Sequence, residues 1–170
     1  MQGNRKKLAV LVVVAGVALF AAGALASADD GPGKHSLEGV WMADLMILSA
    51  CGGVPVKEFP VLLTFTHDGK VIETPNTLAL ESLEFRRVSP GLGTWQHQGG
   101  RQYIAVFRFF RVSADLTTPD GFHKITEAIE LDQDGDAFTT AGTGEVFDVN
   151  GNLVPSLSGT CFTQTGKRLE

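Results

Sequence analysis

From Gly93 to Arg168 the chain alternates apolar-rich runs with glycine turns at Gly99-Gly100, Asp120-Gly121, Asp134-Gly135 and Asn150-Gly151. Such pairs supply the positive φ angles that tight hairpins need. The pattern predicts long strands over 101–112, 122–131 and 137–147, with a shorter one over 93–97 before the first turn and a last pair around Leu153 and 160–165. Upstream, 40–48 reads as a first strand, and 61–66 with 70–74 as a hairpin around Asp68-Gly69. β-branched and aromatic residues dominate these runs, as a half-buried pleated surface favours. Eight or nine evenly spaced strands predict an all-β fold, a single antiparallel up-and-down β-barrel over 37–170. Residues 75–92 break the rhythm. They read as a flap over one mouth of the barrel or as an irregular cover for a sheet edge, with two helical turns over 77–84 a further option.

Alternation gives a view of the interior, because successive side chains on a strand point to opposite faces. One face of the 101–112 strand carries Tyr103, Ala105, Phe107, Phe109 and Arg111, and one face of the next carries His123, Ile125, Glu127, Ile129 and Leu131. The first strand offers Met42, Asp44, Met46 and Leu48 on one side. A buried carboxylate is costly unless paired or neutralised. Glu127 or Asp44, with Arg111, Tyr103 and His123, is therefore expected to form a polar spot in an apolar lumen, the mix that a ligand site requires. Met42, Met46, Phe107 and Phe109 would supply walls. The competing reading is a structural ion pair, or a face turned to solvent near the rim.

The first 28 residues read as an address. Arg5, Lys6 and Lys7 precede an apolar run from Leu8 to Ala26, and Ala26-Ser27-Ala28 has the small-x-small form of a signal-peptidase site. The expectation is a cleaved signal peptide over 1–28, a flexible leader over 29–36 and a secreted or periplasmic domain; an uncleaved anchor is the alternative, since 19 apolar residues just span a bilayer. Cleavage leaves 11 Lys and Arg against 19 Asp and Glu, a formal charge of −8. An acidic domain without a basic stripe is a poor candidate for nucleic acid or an anionic membrane surface, and no membrane contact is expected once the signal is removed. Cys51 and Cys161 are the only cysteines. In an oxidising compartment an even pair is expected to be bridged, pinning the first strand region to the last. Closing a loop of about 100 residues is worth at most roughly 4.7 kcal/mol.

Gly39-x-Trp41, at the head of the first strand, resembles the opening motif of the calycin superfamily, which comprises lipocalins, fatty-acid-binding proteins and avidins. The resemblance implies an up-and-down barrel that holds a small, usually apolar ligand. In lipocalins the glycine lets the strand pass under the barrel floor and the tryptophan plugs it, with a late-strand arginine packed across the indole. Here Trp41 would be the plug and Arg168 the arginine. The strand pattern is also similar to that of exported barrels of the dirigent and allene oxide cyclase type.

Other chemistry finds little support. His67, His97 and His123 fall on separate strands without HxH or HExxH spacing, so no metal site is expected. The run from Asp132 to Asp136 looks like a calcium loop, but its glycine is one place early and Thr143 stands where an EF-hand has glutamate. A hairpin turn with solvated carboxylates fits better. No Gly-x-Ser-x-Gly elbow occurs. The leading expectation is an exported barrel, without cofactor, that binds a small apolar or amphipathic molecule in its lumen. A cyclase- or isomerase-like enzyme and an interaction domain with a filled core are the alternatives.

Overall fold

A computed structural model describes residues 36–76 and 85–169; the expected signal peptide and nearly all of the leader lie outside them. Among the described residues there are nine strands: β1 (Gly39–Leu48), β2 (Pro55–Phe65), β3 (Lys70–Pro75), β4 (Phe85–Arg87), β5 (Gly91–Gly99), β6 (Gln102–Ser113), β7 (Pro119–Leu131), β8 (Ala137–Phe147) and β9 (Thr160–Arg168). All pairings are antiparallel. Neighbours in sequence are neighbours in the sheet, except that β3 pairs with β5, and β9 returns to pair with β1. The result is a closed eight-stranded up-and-down barrel with β4 as an extra strand, as the turn spacing predicts.

The irregular 75–92 stretch holds that extra strand. β4 lies on the same side of β6 as β5 does, with Arg87 opposite Arg111 and Leu92 opposite Arg108. The two are collinear, separated by two surplus residues around Pro90, which has no amide hydrogen to donate to the ladder. Residues 77–84, where the flap or short helix was expected, lie outside the described residues. Two other expectations change. β2 begins at Pro55 rather than near Val61, because its first residues are polar and proline-bearing yet still pair with the end of β1. Around Leu153 there is an isolated bridge to Phe147 and a short 3₁₀ turn (Pro155–Leu157) instead of a strand.

The alternation expected for β6 and β7 holds: Tyr103, Ala105, Phe107, Phe109 and Arg111 are buried, as are His123, Ile125, Glu127, Ile129 and Leu131. The first strand is the reverse of the expectation. Trp41 and Ala43 are buried while Met42 and Asp44 are exposed, so Met42, Asp44 and Met46 stand on the outer face. Both faces of β1 are apolar, so composition could not choose between them; Trp41, fully buried, is the larger side chain and takes the inside.

The ends of the barrel differ. At one end lie the N-terminus of β1 and the tight turns at 66–69, 100–101 and 132–136. Here Trp41 donates its indole N–H to the Leu37 carbonyl, and the Arg168 guanidinium lies 4.2 Å over the indole ring. Arg168 also donates to the carbonyls of Ser36, Glu38 and Gly135, tying the incoming chain and the β7–β8 turn to β9. Gly39 is required there: its φ is +133°, and a Cβ would stand 2.7 Å from Arg168 Nη1. Phe138, Phe65 and Trp95 complete the floor in edge-to-face contact. At the other end lie the longer connections. The Cys51–Cys161 disulfide, with Cα atoms 5.1 Å apart, clamps the β1–β2 loop to the start of β9.

Inside, rings occupy space that glycines vacate on the adjoining strand. A Cβ on Gly142 would lie 2.2 Å from the Phe162 ring, and one on Gly166 2.2 Å from the Phe138 ring. Gly142→Ala is therefore expected to destabilise the fold by about 1–3 kcal/mol through overpacking. The double variant Gly142→Ala/Phe162→Leu should recover part of that loss. Urea denaturation of the single and double variants measures the coupling; equal, additive losses would show that ring and glycine do not share the space.

Candidate functional site

The open end leads into a cavity of about 80 Å³. Its walls come from alternate positions on every side of the barrel: Leu45 and Ile47 from β1, Phe59 from β2, Phe107 and Phe109 from β6, and Ile125 from β7. Phe162 and Thr160 from β9 close it beside Gly144. Three ionisable side chains stand among them. Glu73 and Arg87 form a buried ion pair between β3 and β4, and His123 lines the wall beside Phe109, its cross-strand partner, with the rings 5.2 Å apart in an edge contact. Arg87 is held from several directions. It donates to the carbonyls of Ser89 and Glu73, and its guanidinium lies 4.0 Å over the Phe109 ring. Gly144 makes room for His123, since a Cβ there would stand 2.9 Å from Nε2.

The electrostatics follow from burial. Glu73 is almost wholly out of water, which pushes its carboxyl upward, while the Arg87 charge pulls the other way and favours the ion pair. Burial lowers the His123 pKa to about 4, assisted by the neighbouring Arg111 and Arg87 charges. The imidazole is neutral at physiological pH. Glu127 lies deeper, fully buried, and its pKa is raised to about 8 by burial and by Glu73. The amide of Gln164 donates to its Oε2 at 2.7 Å and, with Thr140, partly offsets that rise. The amide reaches Glu127 from two strands away because the strand between, β8, presents only Thr140 and Gly142 there.

Phe107, Phe109 and His123 line the cavity as the alternation suggests. Glu127 is interior, as expected, but is not part of the cavity wall. Tyr103 is buried in the plugged half, its ring against Trp95 and His97 at 5.6 and 4.9 Å. Arg111 is buried at the rim, where Nη2 donates to Asp120 at 2.7 Å, and it too lies outside the cavity wall. Met42, Asp44 and Met46, on the outer face, do not contribute. The pair missed in the sequence is Glu73–Arg87. Glu73 was accessible by alternation, since Val71 and Glu73 share a face of β3. Arg87 was not, because it sits on a three-residue strand in the irregular stretch.

Among the described residues no three His, Cys, Asp or Glu side chains converge to hold a metal ion. His67 meets Glu38 at 3.0 Å on the surface, and His97 bonds the Gly100 carbonyl. Asp132 is not an open ligand: Oδ1 accepts the backbone amides of Gly135, Asp136 and Ala137, which lower its pKa. Comparison with protein-family models, curated proteins and solved structures finds no match to this chain.

Glu127 generates a pH test. Its pKa is raised above the unfolded value, so the folded state holds the extra proton between about pH 4.5 and 8. The contribution is fully present below the unfolded pKa and is lost as pH rises through that window. Relative to Glu127→Gln, the native protein should therefore lose stability on going from pH 5 to pH 8, by up to roughly tenfold in the folding constant per pH unit. Urea titrations of both proteins across that range measure the difference; a constant offset would show that Glu127 stays ionised.

Proposed function

We propose that this protein is a small-molecule-binding barrel that takes an apolar or amphipathic group into the cavity at its disulfide-bearing end. The observation that carries the reading is the cavity itself: an opening of about 80 Å³ walled by Leu45, Ile47, Phe59, Phe107, Phe109 and Phe162, with the Glu73–Arg87 pair and His123 at fixed positions. Apolar walls with a few oriented polar groups are what a ligand site needs. The size limits the occupant. Drug-sized pockets run to roughly 300–1,000 Å³, and a cavity of about 150 Å³ holds benzene. A chain end or a small branched group suits this volume, with any larger remainder lying at the mouth.

The signal-like N-terminus and the disulfide are compatible with an exported location, where such a carrier would meet its ligand outside the cytoplasm. The cyclase-type alternative is less well supported, because the cavity carboxylate is Glu73, already committed to Arg87, and Glu127 stands behind the wall. A wholly filled core is disfavoured by the open cavity. Resemblance to lipocalins rests on Gly39, Trp41 and Arg168 in the plugged floor.

The test is binding of a short-chain apolar fluorescent probe, with native mass spectrometry of the exported protein to look for a co-purifying molecule. Leu45→Phe, which narrows the cavity from β1, should weaken probe binding by at least about tenfold, an amount that one or two displaced methylenes account for. Phe110→Thr, on the outer face, should leave it unchanged. Equal affinity for the native protein and Leu45→Phe would place the probe elsewhere and remove the reading.

A further inference from the structure

We infer that the open end of the barrel docks, rim loops first, on a lipid surface without net charge, so that the cavity meets its ligand there; this rests on the binding reading above. Large exposed apolar side chains gather at that end. Val54, Val88, Phe110, Leu116, Val149 and Leu157 are 46 to 69% exposed and come from four separate connections and the adjoining end of β6. Singly, such residues need no explanation, but a group of them around one opening marks an interaction site.

Charge gives the second observation. The described rim loops, residues 49–54, 88–90, 114–118 and 148–159, contain only two charged side chains, Asp115 and Asp148. Both are turned back on their own loops, Asp115 accepting from Ser113 and Thr117 and Asp148 from the amides of Asn150 and Asn152. The opposite turns, 66–69, 100–101 and 132–136, carry His67, Asp68, Arg101, Asp132, Asp134 and Asp136. Among the described loops, those at the mouth are thus poorer in charge than the turns at the floor and carry no Lys or Arg. Described rim loops without Lys or Arg, beside an Arg111 already paired with Asp120, offer little to anionic headgroups, whose attraction depends on clustered Lys and Arg. Such loops complement a zwitterionic layer, into which Val, Leu and Phe side chains partition by apolar burial.

Leu116 adds a third. Its φ is +63°, the only positive φ at a described non-glycine residue, and it stands at the tip of the 114–118 loop. Glycine or asparagine would relieve the backbone there. Leucine instead holds an apolar side chain outward against a local cost, the kind of outlier from which a functional role is inferred. Among the described residues no helix is long and apolar enough to cross a membrane, so contact is by the loops. This proposal departs from the expectation of no membrane contact after signal removal; the overall acidity behind that expectation opposes anionic surfaces and does not bear on one without net charge.

Sedimentation of the exported protein with phosphatidylcholine vesicles tests the inference. The protein should co-sediment, with partitioning insensitive to salt that shortens the Debye length to about 3 Å and not strengthened by added phosphatidylserine. Leu116→Asn with Val149→Ser should reduce partitioning at least tenfold while leaving probe binding in vesicle-free solution intact; asparagine suits the Leu116 backbone, so folding is preserved. No partitioning by the native protein, partitioning abolished by salt, or partitioning that the double variant retains would each overturn docking. A concentration-dependent dimer that the double variant loses, without vesicle binding, would instead assign the rim to a second copy. Vesicle binding without probe binding would keep the docking and remove the ligand reading on which its purpose rests.

Discussion

The interior of an eight-stranded barrel is too narrow for a large side chain at every inward position, and this chain meets the limit by setting rings against glycines. Phe162 lies over Gly142, Phe138 over Gly166 and Phe107 beside Gly91 and Gly93. Each glycine lets a neighbouring ring turn inward, so the lumen fills from the Trp41 floor upward. The open cavity is what remains above these interlocks. At its level Gly144 admits only the smaller His123 ring, and Thr160 stands at the start of β9.

The same narrowness explains the polar interior. Glu127 and Glu73 are both buried inside one barrel, and two ionised carboxylates there would repel with little water to screen them. The structure separates their roles. Glu73 is given Arg87, itself fixed by Ser89 and Phe109, whereas Glu127 is given a neutral amide and keeps its proton into the neutral range. The cavity therefore presents an ion pair without net charge and a neutral imidazole.

Much of this was legible in the sequence, and the exceptions have physical causes. Closure and strand order followed from glycine turns, and the inward faces of β6 and β7 from alternation, the inner face of β6 being rich in aromatic residues and the outer face of β7 carrying Lys124, Thr126 and Glu130. Gly39, Trp41 and Arg168 were identified by resemblance, and the cation–π contact brings them together. The first strand misled because Met42 and Met46 are as apolar as Leu45 and Ile47; what decides its face is the volume of Trp41 and the ring partners across the floor. Arg87 escaped because three residues are too few to show a period. The cavity's volume was not legible, since it depends on contacts between rings and glycines on different strands.

The two ends of the barrel divide the work of the fold. At the floor, Arg168 binds three carbonyls and an indole, and charged turns keep that end in water. At the mouth, the disulfide is the main covalent restraint on connections that are otherwise longer and apolar. Cys51 anchors the β1–β2 loop to β9 one residue from Phe162, which is itself part of the cavity wall. The restraint thus fixes the mouth where the wall is formed, while leaving the 114–118 and 148–159 loops to project from it. The apolar wall at this mouth is interrupted by Glu73, whose charge is answered by Arg87, and by His123, while Glu127 stays behind the wall and out of the cavity.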